Sequence, residues 1–242
     1  MERILERILD WIFPRRCIFC GGLMEEGLIC EECGEKLPWL EEPLCRSHMG
    51  RVERLYAALY YDGTVPNAMA KFKFRGRSQL SRCLAALMLE QMGTELRAEH
   101  CDRILGVPMH PSRQRRRGYN QAQLLARELS VQLDIPYSSC LKKIKRSKQQ
   151  HTLRGRERKN AQKGSYRCQS LHGEKILLVD DICTSGETLK ECARVLREAG
   201  AGCVIGAVVC KTPQYRDWKW ENDKMLAFDP FNEMINDNEM SV

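Results

Sequence analysis

Two groups of residues in this 242-residue chain have the types and spacing to do chemistry. The first is Cys17-x-x-Cys20 followed, after nine residues, by Cys30-x-x-Cys33. Two such knuckles bring four thiolates together at tetrahedral geometry, and Gly21, Gly22 and Gly27 supply turns for a hairpin between them. That pattern predicts a zinc site. With no histidine or carboxylate pocket beside it, the metal reads as structural. Its apparent binding energy of ~10 to 16 kcal/mol is enough to fold a segment too small for its own core. Cys45-x-x-His48 is a further half-motif without an obvious fourth partner. Two disulfides would use the same four cysteines. The other eight thiols, Cys83, Cys101, Cys140, Cys168, Cys183, Cys192, Cys203 and Cys210, are scattered singly and argue for a reducing, cytoplasmic compartment.

The second group is the stretch ILLVDDICTSGETL, Ile176 to Leu189. Four consecutive apolar residues suit a central parallel strand covered on both faces. Asp180 and Asp181 follow, and Thr184, Ser185, Gly186 and Thr188 precede a helix containing Leu189, Val195 and Leu196. The start of a helix presents free backbone N–H groups and a partial charge of about +0.5, which attract an anion. A phosphate in this turn would lie beside two carboxylates able to accept hydrogen bonds from a diol or to hold Mg²⁺ through water. In a blander reading, Thr184 or Ser185 simply caps the helix. GxxxxGK[ST] and GxGxxG are both absent, which excludes a Walker loop and a dinucleotide fingerprint. A phospho-receiver domain would need most of its fold after Asp181, where too little chain follows.

The rest of the chain has to position these groups. Hydrophobic residues at 43% and charged residues at 29% are ordinary for a globular protein. The net charge of +7 is unevenly spread, with 18 Lys/Arg against 5 Asp/Glu between Arg97 and Arg167. Such an excess fits a polyanionic ligand, phosphate or nucleic acid. No span reaches the roughly 18 to 20 apolar residues a membrane crossing needs, so no membrane insertion is expected. The opening residues carry acids and lack a small-residue cleavage site, so they do not read as a signal peptide. Ile4, Leu5, Ile8, Leu9 and Ile12 instead form one apolar helical stripe, as in a docking helix.

Beyond Gly50 strand-like and helix-like segments alternate. RLYAALYYDG reads as a strand, Val65–Phe74 and Leu80–Met92 as helices, and ILGVPMHP as a short buried strand broken by Pro108 and Pro111. GYNQAQLLARELSVQL is helical, IPYSSCLKKI and GSYRC are strand-like, Glu187–Gly200 is a helix, and VIGAVVC is a further strand. This pattern predicts an α/β fold: a mostly parallel sheet flanked by helices, with ligands at the carboxyl ends of its strands. Lys145 to Lys163 has almost no apolar anchor and suits a lid or binding arm.

ILLVDDICTSGETL resembles the ribose-5-phosphate signature of type I phosphoribosyltransferases. With VPMHPSRQRRRGYNQAQLLARELS, KFKFRGR, QQHTLRGRERKNAQKGSY and the cysteine knuckles, the chain resembles the ComF family, the ComFC-like competence proteins and their relatives. The resemblance implies a type I phosphoribosyltransferase-like domain over 51–213 behind an N-terminal helix and zinc-ribbon module over 1–50, with an unassigned tail over 214–242. It implies that phosphoribosyl pyrophosphate binds with Mg²⁺. Asp180 and Asp181 would take the ribose hydroxyls, and the turn Cys183, Thr184, Ser185, Gly186, Glu187, Thr188 the 5-phosphate. Pro108, Met109 and His110 match the pyrophosphate loop, with Arg113 as a cation nearby, and the basic stretch around Arg146 to Lys159 stands where the lid stands. Relatives carry further cysteine knuckles where this chain offers Cys45 and His48. Two functions follow: a Mg²⁺-dependent phosphoribosyltransferase with an unidentified nitrogen acceptor, or a non-catalytic single-stranded DNA-binding adaptor of the competence machinery, working with a competence helicase.

Overall fold

The computed structural model describes residues 16–24, 26–74, 76–145 and 164–213. The N-terminal apolar stripe, the basic stretch 146–163 and the tail from 214 lie outside the described residues, as do the side chains of Arg46, Ser47 and His48.

Nine residues of KILLVDDIC form the centre of the architecture. Strand β6 (Lys175–Cys183) has Ile176, Leu177, Leu178 and Val179 all fully buried. It lies parallel between β7 (Cys203–Lys211) and β3 (Arg103–Gly106). β7 in turn pairs in parallel with β2 (Val52–Tyr60), and β1 (Leu44–Met49) closes the edge antiparallel to β2. The five-stranded order is β1-β2-β7-β6-β3, so the mostly parallel α/β sheet expected from the sequence is present.

Alternate residues of the strands enter two separate cores. On one face Leu177, Val179, Ile205 and Ala207 meet Met69 and Phe72 of α2 (Val65–Phe74), Leu84 and Met88 of α3 (Leu80–Ala98) and Leu125 and Leu129 of α5 (Gln121–Leu133). On the other, Ile176, Leu178, Val204 and Val208 meet Leu189, Cys192 and Leu196 of α6 (Glu187–Glu198). Leu141 of β4 (Leu141–Lys143) and Tyr166 of β5 (Tyr166–Cys168), an antiparallel pair, pack on this second face. Covering both faces is what permits an unbroken apolar strand.

Two short helices escape the apolar pattern. α1 (Glu31–Glu35) starts after Cys30 and carries Cys33, and α4 (Pro111–Arg117) follows β3. α4 buries nothing; it is started by proline at its first turn and by His110, whose side chain accepts from the Ser112 amide. The close fit of α5 on β3 requires Gly106, since a Cβ there would stand 2.5 Å from the Ala122 carbonyl oxygen. Among the described residues no helix is long and apolar enough to cross a membrane.

Candidate functional site

β3 and β6 are parallel neighbours, with Gly106 opposite Val179, and the Val107 amide donates to the Val179 carbonyl at 2.8 Å. Their carboxyl ends therefore leave the sheet side by side. The segment Pro108, Met109, His110 emerges next to Asp180 and Asp181. The loop is held in place by Asn120, whose Nδ2 donates to the Val107 carbonyl at 3.0 Å while its Oδ1 caps α5. Pro108 is buried and Met109 and His110 half-buried; Arg113, on α4, is exposed. His110 Nδ1 is engaged with the Ser112 hydroxyl at 2.8 Å.

β6 runs further than the hydrophobic run suggests. Asp180 pairs with Val208 and Ile182 with Cys210, so both acids sit within the last pleats of the strand and not beyond it. Each carboxylate accepts from the next residue's amide: Asp180 from Asp181 at 2.9 Å and Asp181 from Ile182 at 2.8 Å. Burial, and then the neighbouring Asp181 charge, push the Asp180 carboxyl up to about 7, although the Asp181 amide, Lys73 and Lys143 act against them. Lys73, at the end of α2, pairs with Asp181 at 3.2 Å. Lys143 lies over the Tyr166 ring at 4.9 Å, with its Nζ 3.1 Å from the phenol oxygen. Burial moves this lysine below its usual range. Two acids of β6, a lysine of α2 and a lysine of β4 thus converge from three different elements.

The turn behind the acids has the conformation an anion cradle needs. Gly186 occupies the N-cap of α6 in the left-handed region at φ +74°, and no side chain caps the helix. The hydroxyls of Thr184 and Ser185 are exposed and do not cap it, so the bland capping reading fails. No described residue accepts a hydrogen bond from the amides of Thr184, Ser185, Gly186 or Glu187. Cys183 is buried, Thr188 is half-buried, and Glu187 Oε1 is taken by Lys190 at 2.8 Å.

The sulfur atoms of Cys17, Cys20, Cys30 and Cys33 all lie within 4.8 Å of one another. Four thiolates ~2.3 Å from a tetrahedral zinc sit about 3.8 Å apart, so the donor set fits that ion. Backbone amides support the sulfurs: Gly22 donates to Cys20 at 3.3 Å and Cys30 to Cys17 at 3.5 Å. Burial raises the Cys17 thiol, but the Cys30, Cys20 and Phe19 amides outweigh it and bring it down to about 6. Ile18 and Phe19, between the first two ligands, are buried in the α2–α3 core, and Lys71 of α2 donates to the Ile18 carbonyl at 2.9 Å. Cys45 donates to the Pro43 carbonyl at 3.5 Å and is not part of the four-sulfur group. The side chain of His48, its suggested companion, lies outside the described residues.

The sequence reading passed over Lys73 and Lys143. Lys71 and Lys73 flank the fully buried Phe72 at the end of an apolar helix, and that placement of two cations was the available signal. One faces the zinc cluster and the other the acid pair.

Residues 115–238 match the phosphoribosyl transferase domain family, and residues 8–55 the double zinc ribbon domain family. "Competence protein F" of Haemophilus influenzae is 29% identical over 213 residues, covering 78% of this chain and 93% of that protein. "DNA utilization protein YhgH" of Escherichia coli K12 is 30% identical over 206 residues, 81% of this chain and 90% of that one. "Competence protein ComFC" of Bacillus subtilis is 24% identical over 198 residues, 79% of this chain and 75% of that one.

Proposed function

Because the chain belongs to the ComF family, with a phosphoribosyl transferase domain behind a double zinc ribbon, we propose that it binds phosphoribosyl pyrophosphate at the carboxyl ends of β6 and β3. The observation that carries this reading is the row of amides from Thr184 to Glu187 that no described residue accepts, placed at a helix start directly behind an acid pair. A 5-phosphate would take those donors, and Asp180 and Asp181 the two ribose hydroxyls. Asp181 already holds one cation, Lys73, at 3.2 Å, and the acid pair has the hard oxygen donors that suit Mg²⁺. When bound, Mg²⁺ would neutralise charge on the departing pyrophosphate. Pro108 to His110 would line that pyrophosphate, the backbone N–H groups of Met109 and His110 acting as donors, with Arg113 supplying exposed positive charge at its rim. Fixed dipoles and cations aimed at developing charge are the largest contribution a protein makes to such a transfer.

The names of two relatives, for competence and for DNA utilization, support a role in DNA handling. One specific feature favours a second reading, in which the sugar-phosphate site serves a single-stranded DNA adaptor. Arg113, Arg115 and Arg116 on α4 are all exposed and form a basic surface beside the site. Calorimetry with phosphoribosyl pyrophosphate and Mg²⁺ tests the first reading. Heat of binding is expected for the natural chain and none for Asp181→Ala, whereas equal heats would discredit the site. Pyrophosphate release against a panel of bases, with and without single-stranded DNA, then separates enzyme from adaptor. Silence with every base, combined with steeply salt-sensitive DNA binding, would favour the adaptor.

A further inference from the structure

Cys140 and Cys168 stand 28 residues apart in the sequence, yet the fold brings their sulfurs into contact. β4 and β5 are strands of three residues each, paired antiparallel with Leu141 opposite Cys168. The Gln169 amide extends this ladder by donating to the Cys140 carbonyl at 3.2 Å. Beside it, Cys168 Sγ donates to Cys140 Sγ at 3.6 Å. Cys140 is buried in the second core and Cys168 is half-buried at its rim.

The pair differs chemically from the other singly placed thiols. Burial pushes the thiols of Cys83, Cys101, Cys192 and Cys203 up, as befits cysteines that only fill space. Cys140 goes the other way. The Cys168 thiol donating to it moves it down against the effect of burial, and Ser138 and the charge of Arg103 add to that. The same contact, with burial, pushes Cys168 up. A sulfur set as thiolate therefore touches one that keeps its proton, which is the arrangement of an attacking and a resolving cysteine.

We infer that Cys140 and Cys168 form a redox modification site, oxidised by hydrogen peroxide to a disulfide that ties β4 to β5. The Cys140 sulfur attacks one peroxide oxygen: an S–O bond forms, the O–O bond breaks, and the departing hydroxide takes up the proton Cys140 had given to solvent. The Cys168 sulfur then attacks the Cys140 sulfenic acid: the S–S bond forms, the S–O bond breaks, and hydroxide leaves as water with the Cys168 proton. Two thiols and one peroxide give one disulfide and two waters, with two electrons passing from sulfur to oxygen. A dithiol reverses the bond by exchange, so in a reducing compartment it is transient. The bond forms at the root of the strand carrying Lys143, whose Nζ is 3.1 Å from the Tyr166 phenol oxygen and whose charge acts on Asp180. Strands this short hold each other weakly, so a covalent tie fixes that lysine's strand against β5. This chemistry is independent of what binds beside Asp180.

The test titrates the full, reduced, zinc-loaded chain with hydrogen peroxide, following zinc release in parallel. Free thiols are alkylated, and tryptic peptides are mapped by mass spectrometry without reductant. The expected product is the Cys140 peptide joined to the Cys168 peptide and lighter than the two by a pair of hydrogens, formed before zinc is released and undone by dithiothreitol. Both cysteines alkylated and unlinked when zinc release begins, or either joined to a different cysteine, would overturn the site. In Cys168→Ala, dimedone should label Cys140, and in Cys140→Ala, Cys168 should stay reduced. An unlabelled Cys140, or Cys168 oxidised as fast as in the natural chain, would overturn the roles given to the two sulfurs. Oxidation should raise the melting temperature by about 5 to 10 °C in the natural chain and leave it unchanged in Cys168→Ala. A natural chain that forms the bond and melts no higher would overturn the tie between the strands.

Discussion

Replacing Asp180 with asparagine should stabilise the protein while disabling it. Burial and the adjacent Asp181 push the Asp180 carboxyl up to about 7 from a starting value of 3.8. A carboxyl with a raised pKa in the folded state favours folding only in its neutral form. Below the unfolded value the penalty is absent; it grows as pH rises and is complete above about 7. At ~1.36 kcal/mol per unit, a shift of this size has an upper limit of about 4 kcal/mol. Partial solvent access at this half-buried residue and coupling to Asp181 reduce that to about 2 kcal/mol. Asparagine keeps the amide oxygen that accepts from the Asp181 N–H but cannot ionise. The expected result is a melting temperature about 4 to 8 °C higher than that of the natural chain at pH 8 and equal to it near pH 4. Differential scanning calorimetry across that range reads it directly. An Asp180→Asn protein less stable at pH 8 would mean that the natural carboxylate is ionised and paired, refuting the argument from burial. A stabilised variant that no longer binds phosphoribosyl pyrophosphate would show strain kept for function.

Other consequences concern the scaffold. Glu99 is only 4% exposed and accepts from Arg54, the Tyr56 hydroxyl and Lys175. Burial raises its pKa, but those donors outweigh it and hold it at about 2. Its contribution is present above the unfolded carboxylate value near 4.5 and is lost as pH falls toward 2. Glu99→Gln should therefore cost about 3 kcal/mol at pH 7 and far less at pH 2, measured by urea titration. Chelation should remove the zinc held by Cys17, Cys20, Cys30 and Cys33 and loosen Ile18 and Phe19 from the core; metal analysis finding no zinc would remove that module from the account. Gly106→Ala should lower stability by about 1 to 3 kcal/mol, because its Cβ would meet the backbone of α5, and thermal melts would show it.

What could be read from the chain alone followed from how each element is stabilised. β6, β7 and α6 bury long apolar faces, so run length and period revealed them. Val65–Phe74 was legible to the residue. α4 was not, because it buries nothing: a proline, a histidine cap and local backbone bonds suffice, and none of these leaves a hydrophobic period. β1 was missed for a related reason. It is an edge strand paired on one side only, and LCRSHM shows no clean alternation. The helix read over Leu80–Met92 continues to Ala98, where Leu96 is still fully buried. At the site, the acids and the glycine turn were legible because their types are unusual at a strand end. Lys73 and Lys143 were not, since a lysine in a basic region reads as solvated until its partner, distant in sequence, is brought beside it. Gly106 likewise gives no sign in the sequence of the helix backbone pressed against it.

Every functional role assigned to β6 requires that the turn after Asp181 hold a sugar phosphate. Nuclear magnetic resonance of the ¹⁵N-labelled chain titrated with ribose 5-phosphate tests this most directly. The amides of Thr184, Ser185, Gly186 and Glu187, which no described residue accepts, should move downfield together and saturably. Saturable shifts confined to α4 and its arginines, with those four amides unmoved, would contradict it.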